Sequence, residues 1–417
     1  MAPPANRAER RAPLFAFLAQ ELAPREGRGL AVARIAAGCT ITVAIAMLFR
    51  IPLAAYMAYM VFLASKDDVA GTAQMVVAAC VAITLGVIFS LGLAQISLGD
   101  PAIRLPAMAL MTLLAMFSAR TFALGPISFL AGFIVVTMQS VVDQVPNPEA
   151  FTRLTLWLWV VVLVPVAVTM LINLLFGPAA SAVAERGVKK VLTELEAALA
   201  SGEIAGRLRE WRAILVPLAE KSRNPPAIHR LLDALIILEA YPDPVPPRER
   251  TRLSSLVRGS LGALERRNPV TEAPIETEST PEMLAAARAF AELQREFSRT
   301  QVPRPAHTAQ KPRQLFVPDA LSNPAHWQFA LKTTIAIMIV YGVYTMLDWP
   351  GLLTSIVTVF FVALGSVGET VHKLTLRISG AIIGGLIAGL SIVFILPHFT
   401  DIGQLCGLTA VVVLFAA

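Results

Sequence analysis

Residues 31–49 read AVARIAAGCTITVAIAMLF and contain one charged side chain, that of Arg34. A helix needs about 20 apolar residues to cross the hydrocarbon core of a bilayer, so this run is long enough to span it. Further runs of this kind follow along the chain. They are continuous rather than alternating, which favours helices over the strands of a membrane barrel. The run therefore predicts an all-α protein that is integral to a membrane.

The composition of the 417-residue chain agrees, with 56% hydrophobic and 15% charged residues. Soluble proteins carry about 25% charged residues, so the composition excludes an ordinary soluble enzyme. The apolar content also excludes a disordered chain. Cys39, Cys80 and Cys406 lie singly within apolar runs, so we predict neither a disulfide framework nor a metal site. We attribute the net charge of +6 to basic residues on the inner side of a membrane rather than to nucleic-acid binding.

The apolar runs form two blocks separated by a charged segment. The first block, residues 31–178, is predicted to contain six transmembrane helices, and the second, residues 327–417, about four. The predicted spans cover about 31–49, 52–64, 73–97, 103–119, 121–142 and 154–176, and then 327–347, 350–365, 375–396 and 403–417. Because the last run is shorter than a crossing requires, we expect the second block to be incomplete in this sequence.

Residues 179–326 have a different character. Apolar residues recur at helical spacing in VKKVLTELEAALA (188–200) and PEMLAAARAFAELQREF (281–297), and prolines interrupt the pattern, most densely in 302–312. We predict a soluble helical domain with a proline-rich exit linker. Arginines concentrate in residues 1–30, and by the positive-inside rule this segment and residues 179–326 are predicted to be cytoplasmic. The alternative, a cleavable signal peptide, requires a shorter apolar stretch and a small-residue cleavage site.

A shift of 298 residues superposes the second block on the first without a gap. In both copies a basic residue lies one turn into the first span, a proline opens a short second span, and a charged loop precedes a third span that contains glycine. Because an even number of spans separates the copies, we predict two parallel repeats of six transmembrane helices, a plan common in transporters. The matched pairs include Arg34 and Lys332, Pro52 and Pro350, Thr72 and Thr370, and Gly86 and Gly384.

The stretch LKTTIAIMIVYGVYTMLDWPGLLTSIVTVFFVALGSVGETVHKLTLRISGAIIGG (331–385) resembles the fusaric acid resistance family of inner-membrane proteins. Residues 99–121 and 153–178 resemble more narrowly the multidrug-resistance members of that family. The resemblance implies six spans, a cytoplasmic domain and six further spans, with a role in efflux. It also implies two partners, a periplasmic membrane-fusion adaptor and an outer-membrane channel. The residues that carry it are Lys332-Thr333, Tyr341, Asp348-Trp349, Leu376-Arg377, Gly380 and Gly384.

Basic residues near the inner membrane boundary are the candidates for a substrate pathway. Arg34, Lys332 and Arg377 lie inside or beside predicted spans, where a charge is costly unless it faces protein, water or the headgroups. The matched depth of Arg34 and Lys332 favours an aqueous vestibule shared by the two repeats. The alternative is that both side chains extend back to the headgroups.

Carboxylates near the membrane are the candidates for proton coupling. Asp67, Asp68 and Glu369 lie in the equivalent inner loops of the two blocks, and loop carboxylates are otherwise simply solvated. Asp100, Asp143 and Asp348 lie at the outer ends and are interpreted as interfacial charges or adaptor contacts.

Small residues four apart predict close helix packing, either between the repeats or between protomers. The sequence contains no phosphate-binding GxxxxGK[ST] loop and no GxSxG or HExxH motif, so we predict neither an enzyme nor a bound cofactor. The glycines assigned to packing are Gly86, Gly380, Gly384, Gly385 and Gly389.

The leading hypothesis is the inner-membrane subunit of a proton-driven tripartite efflux system that exports amphipathic aromatic compounds or drugs. One alternative is an organic-anion channel. Another is a non-transporting membrane scaffold whose helical domain recruits partners. Contact with membrane lipid is expected in each case, and a homo-oligomer is left open.

Overall fold

The computed structural model describes residues 27–97, 100–145, 147–202, 204, 207–241, 245–266, 280–298, 315–348, 353–362 and 367–416. In these residues the regular structure is helical and no strand is present. The membrane-type helices are α1 (Arg28–Leu48), α2 (Ala54–Ala64), α3 (Val69–Ser97), α4 (Pro101–Thr121), α5 (Gly125–Ser140) and α6 (Pro148–Phe176). Five helices of the charged segment follow: α7 (Ala180–Ser201), α8 (Leu208–Ala219), α9 (Pro225–Ala240), α10 (Pro247–Arg266) and α11 (Pro281–Ser298). The chain then forms α12 (Pro324–Met346), α13 (Leu353–Val362), α14 (Val367–Leu390) and α15 (Ile402–Ala416).

The prediction of an all-α, multi-pass membrane protein is confirmed. Seven described helices are long and apolar enough to cross a bilayer: α1, α3, α4, α5 with the turn that follows it, α6, α12, and the segment Lys373–His398. The second predicted span needs correction. It is the 11-residue helix α2, which is about 16 Å long at 1.5 Å per residue and too short to cross alone.

The first block packs around α3. This helix lies against α5 and α6, while α4 packs on α5, and α1 packs on both α2 and α6. A core of buried apolar side chains joins α3, α5 and α6, including Ile83, Val87, Ile134, Phe151 and Val166. Gly86 permits the close approach, since a Cβ added there would lie 2.8 Å from the side chain of Ile134.

Helices α7 to α11 surround a core of their own. Their buried faces include the fully enclosed side chains of Leu195, Trp211, Leu235 and Phe290. Helix α9 packs on α11, and α10 packs on both α7 and α11. The described helices of the segment therefore form a bundle with an apolar core of its own.

In the described residues, two helix pairs make the most extensive contacts between the blocks, and α13 also contacts α5, where the rings of Phe133 and Phe360 lie 5.5 Å apart. Helix α12 packs antiparallel to α4, since Phe117 stacks on Trp327 at 4.1 Å near one end and Arg104 meets Tyr341 near the other. Helix α15 packs on α1. We call these the α4–α12 seam and the α1–α15 seam. Helix α14 is mostly exposed in the described part of the chain.

Candidate functional site

An apolar cavity of about 130 Å³ lies within the first block, between α2, α3, α5 and α6. Small side chains on α3 leave the space open, and Thr137 contributes a buried hydroxyl that has no hydrogen-bond partner in the structure. Aromatic, aliphatic and methionine side chains form the rest of the lining, a surface that accommodates varied apolar shapes. The lining includes Tyr56, Met60, Ala79, Ala82, Phe133 and Met138.

A polar cluster lies in the α4–α12 seam, and we call it the Arg104 cluster: Arg104, Asp143, Gln144, Tyr341 and Tyr344. Arg104 Nη2 donates to both carboxylate oxygens of Asp143, at 2.7 and 2.6 Å, and to the Tyr341 hydroxyl at 3.2 Å. The Tyr341 hydroxyl donates to Asp143 Oδ2 at 2.8 Å. The Arg104 side chain is 4% exposed and that of Asp143 is 41% exposed. A buried cation is therefore balanced by a carboxylate that is partly exposed at the protein surface.

Local structure explains how these residues meet. Asp100 caps α4 by accepting from Ala102 N at 2.8 Å, which places Arg104 in the first turns of the helix. Asp143 lies in the short 3₁₀ turn Val142–Gln144 after α5. Tyr341 and Tyr344 are three residues apart and share one face of α12. The Tyr344 hydroxyl accepts from Gln144 Nε2 at 2.9 Å and donates to the carbonyl of Ser140.

Asp68 lies at the opposite end of the first block and is fully buried. Its carboxylate accepts from Gly71 N at 2.6 Å and from Lys221 Nζ, on the charged helical segment, at 2.5 Å. Burial by itself would raise the pKa of the Asp68 carboxyl. The Lys221 ammonium and the backbone N–H groups of Gly71 and Ala70 outweigh it, so the pKa lies below its ordinary value. The contact ties the connection between α8 and α9 to the membrane block.

The predicted pathway residues have unlike surroundings. Arg34 is 6% exposed and donates to Asn173 Oδ1 at 2.5 Å, whereas its repeat counterpart Lys332 is exposed. Arg377 is half-buried and donates to Thr358 at 3.0 Å. The described contacts do not bring these three side chains together. Their part in a substrate pathway stays a prediction.

The predicted coupling carboxylates differ as well. Asp67 is exposed, Asp68 is held in the ion pair with Lys221, and the side chain of Glu369 lies outside the described residues. A carboxyl with a lowered pKa takes up a proton only in acid, so the geometry of Asp68 favours a structural role. Proton coupling through any of the three stays a prediction.

The glycines of α14 do not have the close neighbour that we expected. A Cβ added at Gly380, Gly384, Gly385 or Gly389 would meet no described atom within 4 Å, because few described residues cover this helix. Only their counterpart Gly86, among the five assigned glycines, contacts another helix in the described part. A packing role for the four glycines of α14 stays a prediction.

The sequence interpretation missed the Arg104 cluster. It interpreted Asp143 as an interfacial charge or an adaptor contact, and it noted Tyr341 only for the family resemblance. Two signals were present: an arginine inside an apolar run, and two tyrosines three residues apart near the end of a span.

The chain is similar over most of its length to known proteins named multidrug resistance protein MdtO. It is 25% identical to the protein of Escherichia coli O6:H1, and the aligned region covers 97% of this chain and 63% of that relative. For the proteins of Shigella flexneri and Escherichia coli K12 the identity is 24%, with 97% of this chain and 62% and 63% of the relatives covered. The chain thus spans less than two thirds of the length of these curated relatives. No family model and no solved structure matches it.

Proposed function

We propose that this protein is the inner-membrane transport subunit of a drug-efflux system. The observation that carries the proposal is the apolar cavity inside the first block, in a chain that is similar to multidrug resistance proteins over 97% of its length. A transporter of amphipathic compounds needs an apolar site within its membrane helices. The cavity between α2, α3, α5 and α6 meets that requirement. The role is transport rather than catalysis.

The cavity also suggests the kind of group that is bound. Its volume of about 130 Å³ is close to that of an apolar cavity of about 150 Å³ that holds benzene in another protein. One aromatic ring therefore fits, with the rings of Tyr56 and Phe133 beside it and the Thr137 hydroxyl free to bond a polar substituent. We infer that the substrates are amphipathic aromatic compounds, including drugs.

The proposed architecture is a pair of parallel repeats related by an axis along the membrane normal. The seams support it. Under the shift of 298 residues, α1 corresponds to α12 and α4 corresponds to α15, so the contact of α15 with α1 is the counterpart of that of α4 with α12. Residues 179–326 lie in the cytoplasm in this proposal, as the charge distribution predicts.

The proposed system has three parts and is driven by protons. The family resemblance implies a periplasmic adaptor and an outer-membrane channel as partners. The sequence contains no GxxxxGK[ST] loop, which favours an ion gradient over ATP as the energy source. The relatives' name, multidrug resistance protein, agrees with export of drugs.

The proposal is tested by filling the cavity with a larger side chain. A strain that lacks the natural gene is complemented with wild type, with Ala79→Leu, and with Ala70→Leu. Ala79 lines the cavity, whereas Ala70 is exposed in the first turn of the same helix and serves as the matched control. The measurements are susceptibility to a panel of acidic and cationic aromatic drugs and the amount of protein in the membrane.

We expect Ala79→Leu to lower resistance, most strongly for the larger compounds, while Ala70→Leu keeps it and both variants accumulate normally. Unchanged resistance with Ala79→Leu at normal protein level would contradict the cavity as the binding site. Ion currents in a planar bilayer without an adaptor would favour the anion channel instead. Partner binding with no drug phenotype for wild type would favour the scaffold.

A further inference from the structure

The Arg104 cluster combines a buried cation with an accessible carboxylate at the junction of the two blocks. Arg104 belongs to α4, Asp143 to the turn after α5, and Tyr341 to α12. The cluster therefore bridges elements of the first block and the first helix of the second. Any change in the charge of Asp143 acts directly on the α4–α12 seam.

Asp143 is the acceptor that holds this junction together. Its carboxylate receives hydrogen bonds from both Arg104 and Tyr341, while Arg104 Nε is buried and has no partner in the structure. An arginine cannot lose its proton at physiological pH. If Asp143 becomes neutral, a buried charge is left without its counter-charge, and such a state is unfavourable in a low-dielectric environment.

We propose that Asp143 is the carboxylate through which proton binding opens the α4–α12 seam. The inference rests on the proposed proton-driven efflux and names the residue that couples the proton to it. A proton from the outer solution binds one carboxylate oxygen of Asp143, and Arg104 keeps its positive charge. Water then enters the seam to solvate the guanidinium, and α12 separates from α4 at its outer end. Release of the proton restores the ion pair and closes the seam.

The groups that face Asp143 keep their own charge state when it binds a proton. Among the described residues, the titratable groups of the cluster are Arg104 from α4, and Tyr341 and Tyr344 from α12; Gln144 on its own turn is neutral. Arginine and tyrosine keep their charge state between about pH 4 and pH 8. Of these side chains, the partly exposed carboxylate of Asp143 is therefore the one placed to accept a proton.

The α1–α15 seam has no comparable charged cluster in the described residues. The counterparts of Arg104, Tyr341 and Tyr344 under the shift of 298 residues are Ile402, Val43 and Ala46, which are all apolar. Proton binding would therefore act on one seam and leave the other packed. An asymmetric response of this kind suits a protein that must open toward one side of a membrane at a time.

A distance measurement across the seam tests the proposal without a known substrate. The full chain, with its native cysteines replaced, carries spin labels at Ala102→Cys on α4 and Met346→Cys on α12, two exposed positions at the outer end. It is reconstituted in lipid, and distance distributions are recorded from about pH 8 down to about pH 3, a series that passes the ordinary aspartate pKa of about 3.9. Wild type is expected to gain a population with a longer distance in acid.

The decisive variant is Asp143→Asn, which should lose the pH-dependent shift and lose drug resistance. Its matched control is Asp348→Asn, the same change at an exposed carboxylate just after α12, which should keep both. If Asp143→Asn fails to accumulate, Tyr341→Phe keeps the ion pair and removes one hydrogen bond to Asp143, and should move the opening to a higher pH.

The outcomes separate this inference from the proposed function. If the wild-type seam opens in acid but the wild-type gene confers no drug resistance, the seam response is upheld and the efflux proposal is contradicted. Normal resistance with Asp143→Asn overturns the coupling role even where efflux is established. A wild-type distance that does not change with pH also overturns it, as does an unchanged shift with Asp143→Asn.

Discussion

The two seams between the membrane blocks pair equivalent helices but are held together by different chemistry. In the α1–α15 seam the contact is apolar, with Cys39, Val61 and Val413 in one buried cluster. In the α4–α12 seam a similar apolar contact around Met108 and Ile337 continues into the Arg104 cluster. Similar helix packing can thus form a purely apolar contact or a contact whose stability depends on the charge of one carboxylate.

The difference follows from what a membrane interior permits. Apolar side chains gain little by leaving lipid for another helix, so such contacts depend on shape and small residues. A buried arginine is costly unless a partner balances it, so the Arg104 contact depends on the charge of Asp143. The comparison of the two halves extends to two other matched pairs, Gly86 with Gly384 and Arg34 with Lys332.

The largest difference is expected at the glycine pair. Gly86→Leu should destabilise the protein by about 3 kcal/mol, because an added Cβ would already lie 2.8 Å from Ile134. Gly384→Leu should cost far less in this chain, since no described atom lies within 4 Å of the added Cβ. The measurement is the fraction of monodisperse protein after mild detergent extraction. Equal loss for both variants would mean that α14 is covered in the membrane as tightly as α3.

The next difference is expected at the basic pair. Arg34→Met should cost about 2 kcal/mol, because it leaves the buried Oδ1 of Asn173 without its donor. Lys332→Met should change stability by less than about 0.5 kcal/mol, since Lys332 is exposed. Thermal unfolding of the two variants in the same detergent measures both effects. A loss for Lys332→Met as large as that for Arg34→Met would show that the two positions are equivalent after all.

Much of the fold could be predicted from local sequence. Each predicted apolar run coincides with a helix, because the runs are long, uninterrupted and bounded by proline, glycine or charge. Thr280 before Pro281 predicts the start of α11, and Thr280 Oγ1 indeed accepts from Met283 N at 3.5 Å. The shift of 298 residues also pairs helices that make equivalent contacts in the two seams.

The candidate sites could not be predicted in the same way, because burial and pairing depend on residues far apart in sequence. Arg104 meets a carboxylate 39 positions away and a tyrosine 237 positions away. Arg34 and Lys332 occupy matched positions in the sequence. Arg34 is nevertheless buried against Asn173 of α6, whereas Lys332 is exposed to lipid or solvent. The cavity forms between four helices, and the small residues that line it follow no pattern by which the sequence alone would reveal it.

A smaller effect is expected from the tyrosines of the polar seam. Tyr341→Phe should cost about 1.5 kcal/mol, because the hydroxyl donates to the charged Asp143. Tyr344→Phe should cost about 1 kcal/mol, since its hydroxyl bonds neutral groups of Ser140 and Gln144. Thermal unfolding at neutral pH compares them. A reversed order would indicate that Asp143 is not the main acceptor in the seam.

A similarly small effect, and the sharpest contrast with Asp143, is expected at Asp68. Lys221→Met should lower stability by about 1 kcal/mol at neutral pH, a modest figure because the Lys221 side chain is 37% exposed. The folded protein holds the pKa of Asp68 below its ordinary value, so the ion pair stabilises the fold fully above the unfolded pKa of about 4. Its contribution is lost only as the pH falls below that value, through the folded pKa.

The difference in unfolding temperature between wild type and Lys221→Met should therefore be constant from about pH 8 to about pH 5 and shrink only in stronger acid. Exposed Lys190→Met, on the same helical segment, controls for the removal of a lysine. If the difference already shrinks near pH 6, Asp68 takes up protons in the physiological range, and proton coupling at the inner side regains support. The other outcome is that the difference in unfolding temperature stays constant while the distance across the α4–α12 seam changes with pH. In that case Asp68 keeps its charge at one end of the first block, and Asp143 binds a proton at the other.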